Sequence, residues 1–175
     1  MKLRPNQPCP RVSWRAVDQS PVAIPDPDGK VVHLQFSRWA GCPICNMHLA
    51  SFRRRADDLE RAGVREVIVF HSPEADILDL RGDLPFRLVA DPTKAYYRAF
   101  GVGTSPFFLF HPKAFHAFRS EARQGRTAER IHGGVFGLPA DFVVDPSGML
   151  LAAHYGRHAD DCLPVDAVIE LASRS

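Results

Sequence analysis

Cys42 and Cys45 are the side chains in this sequence best suited to covalent chemistry. They stand in Trp39-Ala40-Gly41-Cys42-Pro43-Ile44-Cys45, between an apolar run (Val31-Val32-His33-Leu34-Gln35-Phe36) and a long helical pattern. A strand running into a Cys-x-x-Cys helix start is a redox arrangement. Pro43 suits the first helical position, where its missing N–H had no partner to lose. A helix N-terminus presents free N–H groups and partial positive charge, which favour a thiolate over a thiol. Cys42 is therefore expected to ionise below the ordinary thiol range and to act as the nucleophile. Cys45 lies one turn on, where a disulfide closes with little backbone movement.

Periodicity gives the two sulfurs different surroundings. Counting from Cys45, Leu49, Phe52, Ala56 and Leu59 follow at +4, +7, +11 and +14. That is the buried stripe of an amphipathic helix, with Arg53, Arg54, Asp57, Asp58 and Arg61 on its other side. Cys45 is expected on the inward face and Cys42 at an exposed mouth. An exposed attacker beside a shielded resolver is the division of labour that thiol–disulfide exchange uses. Two alternatives stand beside it: structural thiols in a core, or half of a zinc site. A zinc site takes four ligands, and neither a second Cys-x-x-Cys nor a His-x3–5-His lies nearby, so no metal is expected.

The flanking chain supplies the positioning elements. Residues 1–10 carry three prolines and read as an irregular, loosely ordered arm. Val12–Val17 and Val22–Ile24 are short strand candidates, separated from the Cys strand by the turn residues Pro25-Asp26-Pro27-Asp28-Gly29. The Cys helix is expected to end near Gly63, a plausible C′ residue. Glu66–His71 suits a strand buried on both faces, hence parallel. Ser72-Pro73-Glu74 and Asp91-Pro92 each read as a helix cap followed by proline, and Phe86–Ala90 lies between them as a strand. Strand and helix patterns thus alternate, which argues for an α/β layer structure. The aromatic run Phe107-Phe108-Leu109-Phe110 and a helical pattern over Ala114–Ala122 interrupt the alternation, followed by a basic, glycine-containing loop over Arg126–Gly134. The reading there is a core-packed helix with a connector, or a lid or subunit contact. Gly137–Asp145 reads as a strand entered through Pro139, paired in a hairpin with Met149–Ala153, and a terminal helix follows Pro164.

Length and composition bound the classes. A chain of 175 residues, 45% hydrophobic and 24% charged, suggests one globular domain over 1–175. A net charge of +2 predicts neither nucleic acid nor membrane as partner. No signal-peptide segment and no run of about 18 apolar residues is visible. Four cysteines with one tight pair look like catalysis in a reducing, cytoplasmic compartment and not a disulfide framework.

The order of elements resembles the thioredoxin fold. Phe70-His71-Ser72-Pro73-Glu74, Leu88-Val89-Ala90-Asp91-Pro92 and Ala99-Phe100-Gly101-Val102 are similar to the alkyl hydroperoxide reductase/thiol-specific antioxidant (AhpC/TSA) family, the peroxiredoxin relatives. The resemblance covers about residues 20–173. It implies a central mixed β-sheet flanked by helices, with an N-terminal β extension and a helical insertion before the Pro-led strand. It implies a cis Pro139 facing the Cys turn, with neighbouring backbone free to pair with an extended substrate. Trp39, Pro43, Leu138 and Pro139 are then the substrate-binding candidates, and Cys42 and Cys45 the catalytic ones. The sequence departs from the peroxidase pattern Pro-x-x-x-Thr/Ser-x-x-Cys. If Cys45 takes the peroxidatic place, Cys42 replaces the Thr and Arg38 the Pro; if Cys42 takes it, Trp39 and Gln35 occupy those places. The family's later-strand arginine falls at Pro139. Losing those donors removes an electrostatic aid to O–O cleavage.

Three functions follow as expectations: dithiol–disulfide exchange, thiol peroxidase activity, or a binding module without turnover. The substrate is a protein or small-molecule disulfide or a hydroperoxide. The reductant is a thiol such as thioredoxin or glutathione, no cofactor is called for, and Phe107–Phe110 suits a homodimer contact. Cys9 and Cys162 read mainly as non-redox thiols, His48 as a packed or solvated histidine, and His154 and His158 as surface residues.

Overall fold

The structure, a computed structural model, describes residues 2–81, 84–104 and 137–175. A short antiparallel ribbon, β1 (Val12–Arg15) with β2 (Pro21–Ile24), precedes the main sheet. That sheet has the order β5-β4-β3-β6-β7. Its strands are β3 (Val31–Phe36), β4 (Val64–Phe70), β5 (Arg87–Ala90), β6 (Ala140–Val144) and β7 (Leu150–Tyr155). β3 runs parallel to β4 and β4 to β5, while β3–β6 and β6–β7 are antiparallel. This is the mixed, thioredoxin-like sheet that the resemblance implied.

β3 is central and all six of its residues are buried. Its side chains alternate between faces, as a pleated strand requires. Val32, Leu34 and Phe36 enter one core with Val12, Val22, Tyr97, Phe100 and Phe142. The opposite face carries Val31 and packs against the helices α1 (Pro43–Arg54), α2 (Ala56–Arg61) and α5 (Val165–Ala172) through Leu49, Phe52, Leu59 and Val168. His33 also faces these helices and stacks on Phe52 at 5.3 Å between ring centroids.

The single Cys helix expected through residue 62 is two helices. Arg55 leaves the helical region (φ −112°, ψ 20°), and its side chain pairs with Asp58 and Asp166. Gly63 follows the last turn at φ +70°, as a C′ glycine does. α3 (Glu74–Arg81) and α4 (Ala95–Ala99) follow β4 and β5. α4 starts later than Asp91-Pro92 suggested. The buried Asp91 carboxylate reaches forward instead and accepts from the N–H groups of Ala95, Tyr96 and Tyr97 at 2.8, 2.8 and 3.1 Å.

Over residues 2–10 the arm has irregular backbone but is not loose. Asn6 N–H donates to Leu150 O and Leu150 N–H to Gln7 O, at 2.8 and 2.9 Å, and Cys9 N–H donates to Gly148 O at 2.8 Å. The arm thus lies along β7. The aromatic run Phe107–Phe110, the helix over Ala114–Ala122 and the loop over Arg126–Gly134 lie outside the described residues, and with them the helical insertion and the dimer contact.

Candidate functional site

Cys42 is the N-cap of α1 and Pro43 its first residue, as the sequence indicated. The Cys45 N–H donates to Cys42 Sγ at 3.4 Å. The two sulfurs, both free thiols, stand 2.7 Å apart. The linker leading into them is pinned from three sides. Tyr97 Oη donates to the Ser37 carbonyl, His71 N–H donates to Arg38 O at 3.3 Å, and Ala40 N–H donates to Ser72 Oγ at 3.0 Å. Ser72, expected to cap its own helix, is thus recruited to hold the Cys turn.

The exposure of the sulfurs differs from the sequence expectation. Cys42 is 1% exposed and Cys45 8%, so neither forms an open mouth. Burial pushes the Cys42 thiol well above its ordinary range, and its bond to Cys45 adds to this against the opposing charge of Arg38. Burial also opposes ionisation of Cys45. There it is outweighed by the Cys42 thiol, the Arg38 charge, the Ser37 hydroxyl and the Arg38 N–H, which together bring Cys45 down to about 7. Burial thus holds the Cys42 thiol up, while the groups gathered around Cys45 draw that thiol down. A helix N-terminus alone would have favoured Cys42, whose sulfur still accepts from the Cys45 N–H and from Arg38 Nη1. Donors in a low-dielectric interior act strongly on both sulfurs.

Arg38 is the residue that sequence reading passed over. It is 1% exposed. Its Nη1 lies 3.5 Å from Cys42 Sγ, its Nε donates to Gly137 O at 3.1 Å, and its guanidinium sits 4.3 Å over the Trp39 ring. A guanidinium thus stands beside the sulfurs, supplied by the segment that leads into them.

Trp39 and Leu138 pack against the cluster formed by Cys42, Ile44, Cys45 and Ala159. Pro139 is buried at the entrance to β6, but its peptide bond is trans. Among the described residues the cis bond is Ile24–Pro25. Nor is the backbone here free for an extended substrate. Gly137 O accepts from Arg38, Leu138 N–H donates to Gly103 O at 3.2 Å, and Pro139 O accepts from Gly156 N–H at 2.9 Å. Residues 156–163 close back over this strand start, which is why the pairing groups are already engaged.

Beneath the pair, three charged residues cross three strands. His33 Nδ1 lies 2.7 Å from Glu66 Oε2 and its Nε2 3.4 Å from Asp141 Oδ1, all essentially buried. Burial works against the imidazolium, but the Glu66 and Asp141 carboxylates raise His33 to about 10. Polar residues inside otherwise apolar strands were the available signal, since buried charges must find partners. Asp141 also accepts from Leu163 N–H at 3.0 Å, anchoring the segment that carries Cys162. Burial, then Asp141 and Cys45, push the Cys162 thiol up, and burial lifts Cys9 to about 12. His48 is half-buried against Phe52, and its imidazole is held below its ordinary value by burial. His154 is not a plain surface residue, because its Nε2 bonds Asp161 Oδ1 at 2.8 Å. A cavity of about 400 Å³ lined by Lys30, Glu60, Arg65 and Arg87 lies at the far end of β4 and β5, away from the sulfurs.

The profile described as AhpC/TSA family matches residues 5–153. No curated protein matches the chain. Among solved structures it is similar to peroxidoxin BcpB from Mycobacterium tuberculosis, at 13% identity and a TM-score of 0.73, covering 98% of this chain and 97% of that one. It is similar to a putative thiol:disulfide interchange protein DsbE from Chlorobium tepidum, at 17% identity and a TM-score of 0.64, covering 99% and 98%. A cysteine-to-serine mutant of peroxiredoxin 6 from Arenicola marina aligns at 15% identity and a TM-score of 0.70, covering 98% of this chain and 72% of that one. At these identities the likeness is one of fold.

Proposed function

Since this chain belongs to the AhpC/TSA family, we propose that it is a thiol oxidoreductase whose Cys42 and Cys45 cycle between dithiol and disulfide. One observation carries this reading: two free thiols stand 2.7 Å apart at a helix cap. The Cys45 thiolate attacks one sulfur of a protein or small-molecule disulfide. A mixed disulfide forms and the other substrate sulfur leaves as a thiolate, which takes up a proton. Cys42 then loses its proton and attacks Cys45, closing the internal disulfide and releasing the second substrate thiol. A thiol reductant of the thioredoxin or glutathione class returns the pair to the dithiol, in a reducing, cytoplasmic setting. Trp39 and Leu138, packed on the cluster of the two cysteines, form the substrate-facing wall, with Pro43 at the helix start and Pro139 at the strand entrance as further binding candidates.

Mass mapping after one equivalent of hydrogen peroxide tests this. A Cys42–Cys45 bond is expected, and it persists in a Cys9→Ser, Cys162→Ser double variant. A bond from either cysteine to Cys162, or between subunits, overturns the assignment.

A second reading, thiol peroxidase, draws on the seclusion of the pair, at 1% and 8% exposure. A small hydroperoxide reaches such sulfurs more easily than a folded protein's disulfide does. The Cys45 thiolate then takes the distal oxygen as sulfenic acid, an alcohol or water departs, and Cys42 condenses with the sulfenic acid to the disulfide and water. Stopped-flow oxidation decides: a rate matching that of free cysteine eliminates it.

A further inference from the structure

The His33–Glu66–Asp141 set leaves one of its oxygens unused. His33 Nδ1 lies 2.7 Å from Glu66 Oε2, while Glu66 Oε1 is buried with no hydrogen-bond partner among the described residues. Glu66 as a whole is 4% exposed. A buried carboxylate oxygen that lacks a donor is costly to keep. Two carboxylates also face one imidazolium in the set, so a further cation would complete its charge balance.

Glu66 lines the cavity of about 400 Å³ at the far end of β4 and β5. Strand parity gives the direction of its side chain. Val64, Ile68 and Phe70 share its face of β4 and enter the core beneath the helices. Glu66 therefore points toward α2, whose Ala56 and Leu59 form another wall of the same cavity. Arg87 belongs to the lining too, and it supplies the opposite sign. Its Nη1 is buried and equally without a hydrogen-bond partner among the described residues, so the two groups do not satisfy each other. The other charges of the lining are committed or solvated. Arg65 binds Asp26 and Asp28 at 3.0 and 2.7 Å, and Asp57 and Glu60 are exposed. Leu59, Leu84 and Phe86 add apolar surface.

We propose that this cavity is a binding site for a small zwitterion, a free α-amino acid with an apolar side chain. The ammonium donates to Glu66 Oε1, the carboxylate accepts from Arg87 Nη1, and the side chain packs on Leu59, Leu84 and Phe86. An anion alone leaves the Glu66 oxygen without a donor, and a cation alone leaves the guanidinium without an acceptor. A molecule carrying both charges a few bonds apart answers both with charge-assisted hydrogen bonds. The volume is in the range of cavities that hold small organic ligands. The site lies away from the sulfurs, and the proposal stands whether or not the dithiol reading holds.

Isothermal titration of the full chain tests it, with L-leucine and L-phenylalanine as probes. Each is compared with the amine and the acid that lack its other charged group: isoamylamine and isocaproate for leucine, phenethylamine and hydrocinnamate for phenylalanine. At least one amino acid is expected to bind one-to-one. Its amine and its acid should bind about tenfold or more weakly, the loss of one hydrogen bond between charged groups. Arg87→Met should weaken the amino acid to the level of its amine and leave the amine unaffected. Glu66→Gln should weaken the amine and spare the acid. Should Glu66→Gln fail to fold, Arg87→Met carries the test, because it removes a group with no partner and should melt no lower than the wild type without ligand. Amide shifts on binding are expected at residues 56–66 and 84–88. The proposal is overturned if neither amino acid binds at millimolar concentration, if the amine matches the amino acid in the wild type, or if Arg87→Met binds as the wild type does.

Discussion

The ionisation of one sulfur is the event on which the proposed chemistry turns, and it can be read directly. With Cys45 drawn down to about 7, ultraviolet thiolate absorbance should rise with a midpoint near pH 7. Cys42 should contribute only in alkaline solution, because burial pushes it up. Cys42→Ala removes the thiol whose hydrogen bond lowers Cys45, so the midpoint should move upward, whereas Cys42→Ser keeps a hydrogen-bonding group there and should hold it nearer 7. A midpoint that disappears in Cys42→Ser but survives in Cys45→Ser would reverse the assignment. Below the pair, Glu66 and Asp141 flank His33, and removing one partner of a buried ionic set leaves an uncompensated charge. Glu66→Gln should therefore cost about 3–5 kcal/mol by denaturant unfolding. Little loss would mean that the neutral amide serves His33 as well as the carboxylate does.

Elements act here mainly by holding segments against one another. β3 delivers Arg38 and the Cys turn, and β6 delivers Leu138 and Asp141 opposite them. The segment after β7 closes the site through two close fits. Gly156 approaches so tightly that an added Cβ would lie 2.5 Å from Asp161 O and 2.7 Å from Pro139 Cγ. Those contacts involve backbone and a ring, which yield poorly. Gly156→Ala is expected to destabilise by about 1–3 kcal/mol, the usual penalty of overpacking. It should also lift Ala159 from the cysteine cluster and speed iodoacetamide labelling of Cys45. Faster labelling without loss of stability would show that the segment covers the site without being held by this fit. Asp91 works on the same scale. Its carboxylate accepts from three N–H groups of α4, so Asp91→Ala should cost about 1–2 kcal/mol, measured by the urea midpoint.

Across the whole molecule, stability and pH are linked through the buried network. His33 has a folded value of about 10 against an ordinary 6.5. Its protonation in the fold therefore contributes stability that is complete below about 6.5 and is lost as pH rises toward 10. Facing it are Glu66 on β4, Asp141 on β6 and His48 on α1. Thermal unfolding should accordingly fall between neutral pH and pH 10, and His33→Asn should flatten that dependence. An equally steep fall in the variant would place the sensitive group elsewhere.

Local pattern fixed much of this protein without help. The six buried residues of β3, Pro43 at the helix start, Gly63 at the helix end and the parallel β3–β4 pair were all legible, because each depends on periodicity or on one residue's backbone preference. The same pattern put Cys45 on an inward face. It could not say that Cys42 is covered too, because the cluster that encloses both sulfurs includes Ala159, more than a hundred residues along the chain. Nor could it find Arg38, whose anchor is Gly137, or the His33–Glu66–Asp141 set, whose members come from three strands. The trans bond at Pro139 and its occupied carbonyl belong with these. Sequence determined which atoms could do the chemistry. Tertiary structure decided how readily each sulfur ionises, because a pKa is set by whatever surrounds the group, and those neighbours are brought together only by folding.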